Sequence, residues 1–395
     1  MYKNILKAKN MLREIFIDKS DVIEWIESQD TTFKKKQKSK SLRFVDLFSG
    51  CGGLSYGIKS SANELGINAI CALAIDSKKA PLEVYKENIP HESGAVVNAS
   101  VLDVLSIGST GRFTKKEMEL KAKVGRVDML VAGPPCQGHS DLNNSTRRND
   151  PRNGLYMACI RAVELFEPDL VIIENVPTVI HSSEGVVRNT SERLVKRGYY
   201  VRDVNIHFLD LGLPQTRKRH VLVASKDEKF ISSLVVPAER RQRATLRQFI
   251  SNIEKTDDSL LLRSGKLSQT NNDRVDFLFN NGLYDLPDSQ RPSCHKDKQH
   301  SYKSVYGRLN YDLPAQTLTS GYGSMGQGRY IHPEDRRTIN SHEAARIQGF
   351  PDRFDFSAVS KVTDLRQMIA NAVPPQLSYL LSSYYIKRNQ WGQSK

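Results

Sequence analysis

The sequence predicts an α/β fold, a doubly wound, mostly parallel sheet with a second, smaller irregular domain attached. Three observations carry this expectation. Short apolar runs recur from residue 43 to 224, each too short for a helix of its own and closed by a charged residue, a glycine or a proline. Stretches of helical period lie between them, so strand and helix alternate. Glycine turns join strand to helix, the first at residues 50–53. Alternation of this kind gives parallel strands joined by right-handed crossovers, with helices on both faces of the sheet.

Taken in order, residues 43–48 read as the first strand and 52–65 as a turn running into a helix. Gly66 is the stop, because glycine most readily takes the left-handed conformation at a helix end. A second strand over 69–75 leads to a helix over 81–88, and 95–98 is a short third strand. The run 127–132 is the fourth strand, halted by Gly133-Pro134-Pro135, and a polar loop then precedes a helix over 155–166. The fifth strand, 170–174, has a helix over 186–197 behind it, and 199–211 and 219–224 supply two more strands. From about 227 to 304 the rhythm fails. That stretch is polar, rich in Arg, Asn, Asp and Ser, and reads as a small separate domain. Regular structure is expected again over 305–320, followed by helices over 341–348 and 375–387. Ahead of the first strand, Val22, Trp25 and Ile26 stand at helical spacing behind Ser20, and a basic polar linker follows over 31–41.

A chain of 395 residues, 39% hydrophobic and 26% charged, has the composition of a globular protein with two or three domains. Its longest apolar runs fall far short of the roughly 20 residues a membrane helix needs, and the charged N-terminus lacks a signal core, so a cytoplasmic protein without membrane contact is expected. Cysteines 51, 71, 136, 159 and 294 are scattered and odd in number, which fits reduced thiols. The net charge of +14 points to a polyanionic partner, nucleic acid first, although charge does not separate DNA from RNA or an acidic membrane surface.

Candidate site residues fall where strands end. Cys136 follows Gly-Pro-Pro at the end of the fourth strand, held on a stiff loop because both prolines have fixed φ. A rigidly presented thiol there is a candidate nucleophile, and an inert packed thiol is the plainer reading. Glu174 closes the fifth strand 38 residues later, about one strand–helix–strand unit, so the two residues end successive parallel strands. The pair suits a nucleophile and a general acid; a structural ion pair is the alternative. Gln215, Arg217 and Arg219 share a face at a period of two. The turn Gly50-Cys51-Gly52-Gly53 lets the backbone approach a cofactor, but its spacing is not Gly-x-Gly-x-x-Gly, which favours a nucleoside cofactor without pyrophosphate over NAD. Asp76 ends the second strand, in place to accept from ribose hydroxyls or to cap the next helix, and Asp103 carries the same ambiguity. Gly321, Gly323 and Gly326 do match Gly-x-Gly-x-x-Gly, yet no helix pattern follows them. Cys294, His295 and His300 lack a tetrahedral zinc pattern, and no metal is expected.

Read together, these segments resemble the DNA cytosine carbon-5 methyltransferases. The resemblance runs in ordered blocks: DLFSGCGGLSYG at 46–57, GPPCQG at 133–138, ENVP at 174–177, QTRKR at 215–219, RLNYDLPAQTLTS at 308–320 and NAVPP at 371–375. It implies the class I S-adenosylmethionine methyltransferase fold and a sequence-specific enzyme that methylates carbon 5 of a flipped-out cytosine through Cys136. By the same resemblance, Glu174 would hold and protonate the target ring, and Arg217 and Arg219 would contact the cytosine and its neighbours. S-adenosylmethionine would lie against Phe48, Gly50, Cys51, Gly52, Gly53, Leu54 and Pro134, with Asp76 on the ribose and Asp103 by the adenine. Asn371 and Ala372 would close that pocket. Gln137, Gly138, Ser140, Arg147, Arg148 and Gln215 would touch DNA. Two departures stand out: Asp76 replaces the family's common glutamate, and His139 its common phenylalanine.

The expected division is an N-terminal helical appendage and basic linker (1–41), a catalytic cofactor-binding domain (42–226), a target-recognition domain (227–330) and a C-terminal segment returning to the catalytic domain (331–395). The expected partners are double-stranded DNA and, in a microbial restriction–modification or defence system, a cognate restriction nuclease; a monomer is expected. A tRNA cytosine-5 methyltransferase and an inactive DNA-binding relative are the alternatives.

Overall fold

Strand β1 (Leu42–Leu47) lies at the middle of a seven-stranded sheet in the order β3-β2-β1-β4-β5-β7-β6. The structure is a computed structural model; it describes residues 19–27, 41–106, 112–135, 154–181, 185–234, 244–253, 259–293, 295–296 and 304–389. The described chain begins with helix α1 (Lys19–Glu27). After β1 come α2 (Gly53–Glu64), β2 (Ala69–Asp76), α3 (Lys79–Asn88), β3 (Val96–Asn98), α4 (Val101–Val104), α5 (Lys115–Val124) and β4 (Met129–Ala132). Then follow α6 (Gly154–Phe166), β5 (Leu170–Asn175), α7 (Val186–Lys196), β6 (Tyr200–His207) and β7 (Lys218–Ser225). Six further helices complete it: α8 (Glu228–Ser233), α9 (Leu246–Ile250), α10 (Gln269–Asn280), α11 (Ser341–Ile347), α12 (Val362–Asn371) and α13 (Pro375–Arg388).

Strands β1 to β5 pair in parallel, while β7 runs antiparallel to both β5 and β6. The class I methyltransferase architecture expected from the sequence is therefore present, with one reversed strand near the edge. Side-chain alternation sorts the strand residues into two cores. Phe44, Met129, Val131, Ile172 and Val223 face one; Val45, Leu130, Val171, Ile173 and Leu222 face the other. The strands inside the sheet, β1, β2, β4, β5 and β7, are buried on both sides, which is why their runs read as largely apolar, whereas the edge strands β3 and β6 are partly exposed. A third, smaller cluster gathers Val275, Leu278, Leu286, Val305, Tyr306, Met325 and Ile331. Among the described residues no helix is long and apolar enough to cross a membrane.

The contact that brings the far C-terminus to the first strand is α13 against α2. Gly53, Gly57 and Ser61 form one stripe of α2 at a spacing of four. A Cβ on Gly53 would run into the Val373 carbonyl, and one on Gly57 into the backbone of Pro375 and the Ser378 hydroxyl. Ser378 Oγ donates to the Leu54 carbonyl at 2.6 Å, and Ser61 Oγ meets Ser382 Oγ at 2.5 Å.

Several expectations differ from the structure. Residues 305–320 hold turns and isolated bridges, such as Gln215 to Ala315, rather than regular strands. The strand expected over 199–211 stops at His207 and passes into a tight 3-10 turn at Phe208–Leu211. Helices α5 and α12 lie where none was expected. The former is masked by its lysines, although Thr114 and Glu117 form a complete capping box at its start. The segment following residue 227 is not wholly irregular: Phe230 of α8 stacks on Tyr384 of α13, and Leu246, Phe249 and Ile250 of α9 join the main core.

Candidate active site

A cavity of about 760 Å³ opens at the carboxyl ends of β1, β2, β4 and β5. From β1 the chain winds outward through β2 to β3, then returns to place β4 on the other side of β1. In open α/β sheets such a switch point is where the strand ends splay and leave a crevice.

One wall is the glycine turn. Gly50 takes φ +53° and the space where its Cβ would stand is open, so this backbone can be approached closely. Phe48, a non-glycine residue at φ +59°, also lies in the left-handed region beside the cavity. Asp76 ties the turn to the end of β2: its Oδ2 accepts from the Gly50 N–H at 2.9 Å, and its Oδ1 from the Lys78 N–H at 2.8 Å. The carboxylate of Asp76 thus fixes local backbone and lines the cavity, while the helix that follows has Lys78 as its N-cap with no side-chain cap bond. Beneath the turn, Asp46 is 1% exposed and accepts from Ser55 Oγ at 2.5 Å, and Ser55 in turn meets Tyr85 Oη at 2.8 Å. Burial pushes the Asp46 carboxyl up to about 7, against the opposing pull of the Ser55 hydrogen bond.

The opposite end holds Glu174. β4 and β5 pair in register with Ala132 opposite Ile173, so the Gly-Pro-Pro corner and Glu174 leave adjacent strand ends. Asn175 Nδ2 donates to the Pro134 carbonyl at 3.3 Å, fastening that corner to β5. A Cβ on Gly133 would stand 3.7 Å from Glu174 Oε2. Arg219 Nε lies 2.6 Å from Glu174 Oε1, a close ion pair without the alignment of a hydrogen bond. Arg217 is 4% exposed, donates from Nη1 to the Ala370 carbonyl at 2.6 Å and packs over the Phe208 ring. Its Nε finds no acceptor among the described residues. Burial, then the like charge of Arg219, pulls the affinity of Arg217 for its proton well down, and Glu174 opposes this.

Of the expected site residues, Phe48, Gly50, Cys51, Gly53, Leu54 and Asp76 line this one cavity. Pro134, Glu174, Arg217, Arg219, Asn371 and Ala372 line it as well. Cys136, Gln137, Gly138, Ser140, Arg147 and Arg148 lie outside the described residues; Pro134 and Pro135, just before Cys136, are at the cavity. Three expected site residues stand apart from the cavity lining. Gly52 does not line the cavity; at φ +92° its bare Cα lies against the Tyr85 ring and Ile89. Asp103 is exposed on α4, and Ser100 and Val101 take the place at the cavity that was expected for it. Gln215 is fully buried, because β7 begins only at Lys218 and a period of two does not extend back through the loop. Its amide donates to Gln348 Oε1 and accepts from the Leu318 N–H, so both polar atoms are engaged inside the fold.

Sequence reading also passed over wall residues, among them Asp46, Ser49, Lys78, Asp364, Gln367 and Met368. The last three sit on or beside a helix whose 3.6-residue period was not recognised. Asp46 was visible inside the DLFSGCGG block, but only the structure shows its burial.

Three comparisons bear on this site. Residues 42–385 match the model of the C-5 cytosine-specific DNA methylase family. A Type II methyltransferase of Bacillus subtilis strain 168, M1.BsuMI, is 41% identical over 350 residues, covering 88% of this chain and 81% of the relative. Type II methyltransferase M1.HphI of Haemophilus parahaemolyticus is 28% identical over 358 residues, 88% of each chain. Among solved structures, the S. pombe Dnmt2 methyltransferase superposes with a TM-score of 0.59 at 17% identity, covering 89% of this chain and all of that one, a likeness of fold.

Proposed function

Because the chain belongs to the C-5 cytosine-specific DNA methylase family and is a DNA cytosine-5 methyltransferase, we propose that it acts on a flipped-out cytosine in duplex DNA through a covalent bond from Cys136. The observation that carries this reading is one cavity joining the glycine turn, the Gly-Pro-Pro corner and the Glu174–Arg219 pair. Restriction–modification is the biological setting we infer, since its relatives include Type II methyltransferases.

The cavity fits S-adenosylmethionine. Gly50 leaves open backbone for close approach, Asp76 presents a carboxylate at the end of β2, and Asn371 and Ala372 also line the cavity. When bound, that cofactor supplies an electrophilic methyl group.

The chain's own residues must solve the substrate's difficulty. Carbon 5 of cytosine is a poor nucleophile hidden in the base stack, and extruding the base costs on the order of a few kcal/mol. The Cys136 thiolate adds to ring carbon 6, which makes carbon 5 enamine-like. Glu174 serves as the acid at ring nitrogen 3 as negative charge develops there. Arg219, on β7, holds the Glu174 carboxyl in place, and Arg217, just ahead of that strand, anchors its start by a bond to the Ala370 carbonyl. After methylation, loss of the carbon-5 proton expels the thiolate and restores the ring.

The test is trapping. DNA bearing 5-fluorocytosine at the recognition site, found first from the methylome of an expressing strain, replaces the hydrogen that must leave. With S-adenosylmethionine present, a denaturation-stable protein–DNA adduct is expected for the unaltered chain and none for Cys136→Ser. No adduct with any fragment carrying the methylated site would overturn the covalent reading, and an adduct with RNA alone would move the substrate to tRNA.

A further inference from the structure

We infer that helix α1, which lies ahead of the family-matched span 42–385, is a clasp on the packed pair α2 and α13 that holds the wall they give the cofactor cleft in its binding arrangement, with Trp25 as its positioning residue. This rests on the reading of the cavity as the S-adenosylmethionine site.

A helix of nine residues is too short to hold itself in water, so α1 exists because it docks. Val22 and Ile26, 0% and 1% exposed, enter the main core. The Trp25 ring bridges two helices, its centroid 6.0 Å from Tyr56 on α2 and 6.5 Å from Tyr379 on α13. Those helices pack directly on each other, and their leading ends line the cleft side by side. α2 begins at Gly53 and Leu54, and α13 follows directly from Asn371, Ala372 and Val373. One indole thus contacts both members of the packed pair.

The carbonyls at the end of α1 have no partner within the helix, and the segment after α11 supplies partners. The Asp352 N–H donates to the Ile26 carbonyl and Arg353 Nη1 to the Trp25 carbonyl, both at 2.9 Å. Arg353 Nε also donates to Tyr56 Oη at 3.1 Å, and its guanidinium lies over the Trp25 ring. Glu27 accepts from Asn252 at 2.7 Å and pairs with Arg346 of α11 at 3.8 Å. Just past α11, Gln348 donates to the carbonyl of Ala372, a wall residue of the cleft. The docked state of α1 therefore needs α2, α13 and the α11 end in the arrangement that forms the cleft. By thermodynamic reciprocity, a ligand that favours this arrangement tightens α1, and α1 tightens the ligand.

The test is S-adenosylhomocysteine binding by calorimetry to the full chain, without DNA. Trp25→Ala is expected to weaken binding roughly tenfold, and Trp25→Phe, which keeps an aromatic ring, to restore it to within about twofold. A folded Trp25→Ala protein that binds within about twofold of the unaltered chain overturns the clasp. If Trp25→Ala does not fold, fluorescence decides. The chain has two tryptophans, Trp25 and Trp391, so Trp391→Phe leaves Trp25 as the only reporter. A saturable change in its emission with S-adenosylhomocysteine supports the clasp, and unchanged emission at saturation overturns it. Failure of the unaltered chain to bind S-adenosylhomocysteine at all would instead remove the cofactor reading, and the clasp with it.

Discussion

Asp46 is 1% exposed at the floor of the cavity, and burial raises its carboxyl to about 7. The unfolded carboxyl titrates near 4. Between about pH 4 and pH 7, then, the folded chain holds a proton that the unfolded chain has released. This contribution to stability is present in full below the unfolded value and is lost as pH rises through the folded one. Asp46→Asn removes the titration and keeps an acceptor for Ser55. Urea midpoints taken from pH 5 to pH 8 should fall less steeply in the variant, by an amount on the order of a few kcal/mol in stability; superimposable slopes would show that Asp46 is not the titrating group. The same residue scale explains Gln215. Its place in the QTRKR block suggested a ligand contact, but an amide bonded to Gln348 and Leu318 is holding three segments together.

At the scale of elements, the α2–α13 contact places the last described helix against the turn that opens the fold. It depends on the absence of side chains at two positions of α2. Gly57→Ala would drive a methyl group into the backbone of Pro375 and the Ser378 hydroxyl, with an expected destabilisation of about 2–3 kcal/mol from overpacking. Gly66→Ala makes the contrast: its φ is +69° but open space surrounds it, so only backbone strain remains, about 1 kcal/mol. Chemical denaturation should rank the two in that order, and equal losses would mean that α13 yields to the added methyl. Gly57→Ala should also weaken S-adenosylhomocysteine binding, since Val373 at the head of α13 lines the cavity, whereas Gly66→Ala should not.

For the whole molecule the net charge of +14 is the dominant fact. A basic protein that neutralises several phosphates releases their counterions, so log affinity falls linearly with log salt. DNA binding, measured by anisotropy with a labelled duplex, should weaken by roughly 10³-fold or more between about 50 and 200 mM salt. A flat salt dependence would show that the basic residues lie away from the DNA path. S-adenosylhomocysteine binding involves no polyanion and should respond far less.

Much of this protein was legible from residue order alone. Burial on both faces makes strand runs such as 170–173 continuously apolar, and a charged residue, a glycine or a proline marks their ends, so the parallel sheet and the strand-end positions of Glu174 and the Gly-Pro-Pro corner followed from local rules. The ordered blocks supplied the family for the same reason, since each block is a contiguous stretch of chain. What only the tertiary structure decided was contact between distant stretches. That Asp46 is buried, that Ser100 and Val101 rather than Asp103 reach the cavity, and that Gln215 faces Gln348 depend on residues up to 133 positions apart. Helix α1 looked like an appendage because its partners, Tyr56, Asp352, Arg353 and Tyr379, come from three separate segments. Side-chain periodicity reports which face of an element is buried, and it carries no information about which other element buries it.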